Sequence, residues 1–135
     1  SMLGSAAVIV MDETTDIPRA LTNIAKFYAH ESCGQCTPCR EGTPWLLKML
    51  KRIVTGHGKP TDVELLLQVA GQMGNGMTIC VFADAAIAPV LSAIPKFRTE
   101  FDAYVAKSAA PGFAVPAPAQ NTPKLAERMA EGMHS

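Results

Sequence analysis

The sequence has no excess of either charge. Lys and Arg number 12, Asp and Glu number 12, and the formal net charge is zero. No basic patch stands out along the chain, so a nucleic-acid binder held by phosphate contacts is not expected. No apolar run is long enough to span a bilayer, so direct membrane insertion is not expected either. The stretch from Ser1 to Met11 is apolar but carries no basic leader, which makes it a poor signal peptide and leaves a reducing cytosol as the expected compartment. Cysteine is scarce, with four in 135 residues. In a reducing compartment so few argue for metal or redox chemistry over a disulfide framework. No internal repeat is visible. What remains is 48% hydrophobic residues on a chain long enough for one domain with its own core.

The cysteines are not scattered. Cys33, Cys36 and Cys39 stand at Cys-x2-Cys-x2-Cys spacing, and Cys80 lies far downstream. Three thiols on one short loop can face a common centre, but that loop cannot easily wrap round to a fourth corner. A distant residue must supply it, which is the logic of a [4Fe–4S] site held by thiolates. Gly34 and Gly42 are expected to let the backbone turn beside bulky inorganic sulfur, and Pro38 to stiffen the loop. Structural zinc more often takes two separated ligand pairs, and buried free thiols are the blandest alternative. A thioredoxin-type redox pair lacks its usual βαβ setting here.

The rest of the chain reads as helices. Ala6 to Met11 is β-branched and short, and is expected as a strand without a ladder partner. Asp16 caps a first helix with Pro18 in its opening turn and Leu21, Ile24, Ala25 and Tyr28 on one face, running to about His30. A second helix is expected to start at Thr43-Pro44, with Leu46, Leu47, Leu50, Ile53 and Val54 inward and Lys48, Lys51 and Arg52 solvated. Thr61-x-x-Glu64 has the capping-box pattern and opens a third, carrying Val63, Leu66, Leu67, Ala70 and Met73. Gly74-Asn75-Gly76 stops it. A fourth starts near Asp84 with a kink or restart at Pro89, and a fifth opens at Pro95. The segment from Ala109 to Gln120 is an Ala/Pro-rich linker, and Thr122-Pro123 can cap a short last helix. The expected fold is all-α: an antiparallel four-helix bundle with an extra N-terminal helix and a short N-terminal strand. The expected divisions are 1–15 as strand and linker, 16–107 as the cluster-binding domain, and 108–135 as linker and tail. In an up-down pair the start of the second helix adjoins the end of the third, so Cys39 and Cys80 should meet. The positive end of the second helix and Arg40 would stabilise the anionic thiolates there.

Around this motif the other residues have plain readings. His30 is expected to meet the last carbonyls of its helix, and His57 and His134 to be solvated. Met49, Met73 and Met77 read as core filler, Trp45 as packing beneath the loop, and Glu31 and Glu41 as local electrostatics.

The run Glu31-Ser32-Cys33-Gly34-x-Cys36-x-Pro38-Cys39-Arg40-x-Gly42 resembles the iron–sulfur signature of the NADH-binding flavoprotein subunit of respiratory complex I. The resemblance extends from about Leu3 to Tyr104. That family places its fourth cluster cysteine in a loop before an Asp-Ala-Ala helix, and here Cys80 precedes Asp84-Ala85-Ala86. The resemblance therefore implies Cys33, Cys36, Cys39 and Cys80 as ligands of one [4Fe–4S] cluster, with Gly34 and Arg40 beside it. It further implies electrons arriving from FMN of a parent NADH dehydrogenase and leaving to clusters in neighbouring subunits of a respiratory complex. Such a complex sits peripherally on the inner face of the membrane. The Gly-rich NADH- and FMN-binding motif of the family does not occur here, so FMN and NAD are expected to belong to an upstream part, with no catalysis from this chain alone. The same bundle occurs in diaphorase subunits of NAD-linked hydrogenases and formate dehydrogenases. The alternatives are thus a docking or assembly module of such a subunit, or a metal-free structural bundle.

Overall fold

The computed structural model describes residues 6 and 8–108, and all of the regular structure among them is helical. The first helix, α1, spans Ile17–Glu31. Its Asp16 cap accepts the backbone N–H of Arg19 at 3.0 Å, and Pro18 occupies the first turn, where a missing N–H costs nothing. Leu21 and Ala25 are buried, with Ile24 and Tyr28 half-buried beside them.

The second helix, α2, spans Thr37–Arg52 and so begins nearly two turns before Thr43-Pro44. Cys36 takes the cap position and Pro38 the first turn, a start signal that Thr43 and Pro44 offer equally in the sequence. Pro44 sits inside the helix and has no N–H to return to the Arg40 carbonyl. The residue before it, the buried Thr43, bonds its hydroxyl back to the Cys39 carbonyl at 2.8 Å. A π-helical turn, Ile53–His57, widens the end of α2, and Gly56 within it takes the left-handed conformation at φ +78°.

The third helix, α3, spans Asp62–Met73. Thr61 makes no side-chain capping bond, contrary to the expected capping box. Asp62 is the anchor instead. It is 1% exposed, accepts the Lys59 N–H at 2.8 Å and Arg52 Nε at 2.8 Å, and closes a fork with Arg52 Nη2. Arg52 is therefore bound to α3 rather than solvated with Lys48 and Lys51. Beyond α3, Asn75 and Gly76 both take positive φ, and the Asn75 N–H donates to Asp84 Oδ1 at 3.1 Å.

The fourth helix, α4, spans Phe82–Lys96 and runs without a restart through Pro89 and Pro95. The fifth, α5, spans Arg98–Ser108, opening after Phe97 rather than at Pro95. No strand forms among the described residues before Asp12. β-branched composition cannot make a strand without a ladder partner, and none lies alongside. The linker from Ala109 and the short helix at Thr122 lie outside the described residues.

Helix α1 is an integral wall, packing on both α2 and α4, while α2 packs on α3 and α3 on α4; α5 leans on the π-helical turn. One core joins them, with Leu50, Ile53, Leu66, Val90, Ile94 and Phe101 almost fully buried. Tyr104 ties α5 to the start of α1: its hydroxyl donates to Asp16 and accepts Arg19 Nε at 3.2 Å.

Candidate metal centre

The topology brings the two cysteine-bearing segments to the same end of the molecule. Cys33 lies in the link between α1 and α2, Cys36 caps α2, Cys39 is in its first turn, and Cys80 lies in the link between α3 and α4. All four thiols are free, and together they line one cavity of about 210 Å³. Glu31, Ser32, Thr78 and Phe82 complete its wall. Among the described residues, no three of His, Cys, Asp and Glu converge closely enough to hold a single ion. The thiols surround a space rather than a point.

Their electrostatics agree with that arrangement. Burial pushes the Cys39 thiol up, and the neighbouring Cys36, Cys80, Cys33 and Asp84 push it further. Four bare thiolates are unfavourable together, and a positively charged centre would reverse the sign of that repulsion, since metal ligation deprotonates a thiol outright. The first turn of α2 points its unbonded N–H groups toward the same end, in keeping with the dipole argument.

The loop itself is held by polar ties. Gly34 adopts φ +74° with open space around its Cα, so the backbone angle alone calls for glycine. Its N–H donates to Ser32 Oγ at 3.3 Å. Arg40 Nη1 donates to the Gly34 carbonyl at 2.9 Å and the Gln35 carbonyl at 3.3 Å, while Nη2 reaches Thr37 Oγ1 at 3.3 Å. Arg40 therefore fastens the backbone between Cys33 and Cys36. Across the gap, the Ile79 N–H donates to Cys36 Sγ at 3.4 Å, and Thr78 Oγ1 donates to the Cys80 carbonyl at 2.7 Å.

Several neighbours differ from their sequence readings. Gly42 is inside α2, not in a turn; a Cβ there would stand 2.5 Å from Met73 Sδ, so its bareness lets α2 and α3 approach. Trp45 is 56% exposed and does not pack beneath the loop. Met49 and Met73 are buried as expected, but Met77 is exposed. His30 pairs through Nδ1 with Glu31 Oε1 at 3.0 Å rather than with carbonyls, Glu41 pairs with Arg40, and His57 is exposed; His134 lies outside the described residues. Phe82 and the Ile79 amide are neighbours of the thiols that the sequence does not single out. Only adjacency to Cys80 points to them, since a backbone N–H leaves no mark in a sequence.

Fold and site together define an all-helical domain with a four-thiol cradle at one end. The chain belongs to the family described as the NADH-ubiquinone oxidoreductase-F iron–sulfur binding region, whose model matches residues 19–104. It is 49% identical over 102 residues to a subunit of the NADH-quinone oxidoreductase of Rickettsia typhi, covering 76% of this chain and 24% of that protein. It is 50% identical over 102 residues to the mitochondrial NADH dehydrogenase [ubiquinone] flavoprotein 1 of Dictyostelium discoideum, covering 76% of this chain and 21% of that protein. Among solved structures it resembles an NAD+-reducing [NiFe]-hydrogenase in the air-oxidised state. The TM-score is 0.67 at 34% identity, over 80% of this chain and 18% of that one. The chain thus spans about a quarter or less of the relatives it matches. No helix among the described residues is long and apolar enough to cross a membrane.

Proposed function

We propose that this chain is the electron-transfer domain of an NADH-oxidising flavoprotein subunit and that Cys33, Cys36, Cys39 and Cys80 ligate one [4Fe–4S] cluster. The observation that carries this reading is the convergence of four free thiols, from segments over forty positions apart in the chain, on one cavity. A bound cluster supplies one-electron chemistry. The chain's own residues supply the rest. Cys39 is buried, while Cys33 and Cys80 stand at the surface, where a redox partner can approach. Arg40 fastens the loop, and Gly34 gives it its turn. The domain corresponds to residues 16–107, arranged as an antiparallel bundle, with 1–15 and 108–135 outside it. The electron donor is FMN of the parent subunit and the acceptors are clusters of neighbouring subunits. The parent is a respiratory complex on the inner face of its membrane.

The second reading is a diaphorase subunit of an NAD-linked hydrogenase, favoured by the structural neighbours. Identity of 49% to a respiratory subunit against 34% to the hydrogenase chain supports the first. The test is anaerobic reconstitution of the full chain with iron and sulfide, followed by assay of iron, sulfide and zinc. About four irons and four sulfides per chain are expected, with loss of the cluster in Cys80→Ser. One zinc and no sulfide would end the proposal.

A further inference from the structure

Cys36 is the cysteine on which both loops act. Arg40 fixes the two carbonyls just before it, and Cys36 caps α2, so its sulfur is set from its own side of the site. From the other side comes the Ile79 N–H, which donates to Cys36 Sγ at 3.4 Å. The Ile79 amide belongs to no helix and is not paired with a carbonyl of its own loop. The Thr78 hydroxyl bonds the Cys80 carbonyl at 2.7 Å and the Met77 N–H reaches the Gly74 carbonyl at 3.4 Å, which together shape the loop around that amide. The Ile79 side chain plays no packing role, being 86% exposed. What the residue contributes at the site is its N–H.

The geometry points to the Ile79 amide as a positioning and potential-setting donor to Cys36, joining the two cysteine loops through one N–H···S bond. This rests on the reading of Cys36 as a cluster ligand. A donor to a ligand sulfur stabilises the state with more negative charge, which is the reduced one, so the bond raises the reduction potential. Easier reduction suits a site that must take electrons from a low-potential donor. The bond has a second effect, since it ties the loop bearing three ligands to the loop bearing the fourth.

The first measurement uses the unmutated full chain, reconstituted anaerobically and reduced, with 15N introduced only at isoleucine. A 15N hyperfine coupling in the pulsed EPR spectrum is expected, because Ile79 is the isoleucine whose N–H reaches a ligand sulfur; its absence from a loaded, reduced sample would overturn the inference. The second compares Ile79→Ala, which keeps the N–H, with Ile79→Pro, which lacks it. Ile79→Ala should hold the midpoint potential of the unmutated chain, and Ile79→Pro should shift it to lower potential. Equal potentials in the two variants would refute a role for the amide. Should Ile79→Pro fail to load, the 15N measurement alone decides. Failure of the unmutated chain to take up iron and sulfide would instead sink the proposed function, so the two failures are distinct.

Discussion

The two ends of this domain are built by different means. Around Leu50, Ile53, Leu66 and Phe101 the side chains are essentially dry and interlock across α2, α3, α4 and α5. Around the thiols, Cys33 and Cys80 are exposed, and so are Met77, Ile79 and Val81 in the loop beside them. That second end is shaped by hydrogen bonds: Arg40 to two carbonyls, Thr78 to the Cys80 carbonyl, Ile79 to the Cys36 sulfur. Burial of apolar surface supplies most of the stability of a fold, whereas a single exposed hydrogen bond contributes little net. The domain therefore keeps its stability at one end and its chemistry at the other. A site shaped by such ties leaves two of its four sulfurs, those of Cys33 and Cys80, exposed.

This division can be tested from the strongest effect downward. Phe101→Ala should cost about 3–5 kcal/mol, because a wholly buried ring leaves a cavity that the helices only partly refill. Denaturant unfolding will show it; a loss within ~0.5 kcal/mol would mean that the core does not carry the fold. Arg40→Ala should change global stability by no more than about 0.5 kcal/mol, since the side chain is exposed. It should nevertheless speed amide hydrogen exchange in residues 33–37 while leaving Leu46 to Ile53 slow. Arg40→Lys should not restore protection, because an ammonium cannot span two carbonyls and a hydroxyl as a planar fork does. Accelerated exchange in both regions would show the two ends to be one cooperative unit.

The smallest effect concerns pH. Burial and the hydrogen bond to Asp16 push the Tyr104 hydroxyl above its ordinary value of 10.0, while Arg19 pulls it down. The folded state thus holds this proton more tightly than the unfolded chain does. The stability it contributes is complete below pH about 10 and is lost as pH rises through the higher folded value. Tyr104→Phe should cost about 1 kcal/mol at neutral pH and show a shallower decline above pH ~10 than the unmutated chain. Parallel declines in thermal melts across that range would remove Tyr104 from the account.

Much of this was legible from residue order. Asp16 and Pro18 mark α1, the apolar spacing marks α3, and Cys39 and Cys80, expected to meet, line one cavity. Where residue order and structure differ, the differences share a physical origin. Thr37-Pro38 and Thr43-Pro44 offer the same start signal, and only the packing of Cys39, Gly42 and Thr43 against the core selects the earlier one. Propensity penalises Pro89 inside a helix, but the burial of Ile87, Val90 and Ile94 on either side keeps α4 continuous. The anchoring of α3 by Asp62 depends on Arg52, ten positions away across a turn, which no capping pattern records.

Gly42 and Met73 add a constraint of another kind. Any side chain at 42 would intrude on the Met73 thioether, and Met73 is the flexible piece that fills the space glycine leaves. A larger residue at 42 requires the Met73 side chain to shift, and shrinking Met73 alone opens a void beneath the cysteine-bearing turn of α2. Each position is thus a condition on the other. A change at one is felt at the other, so their effects on stability should not add.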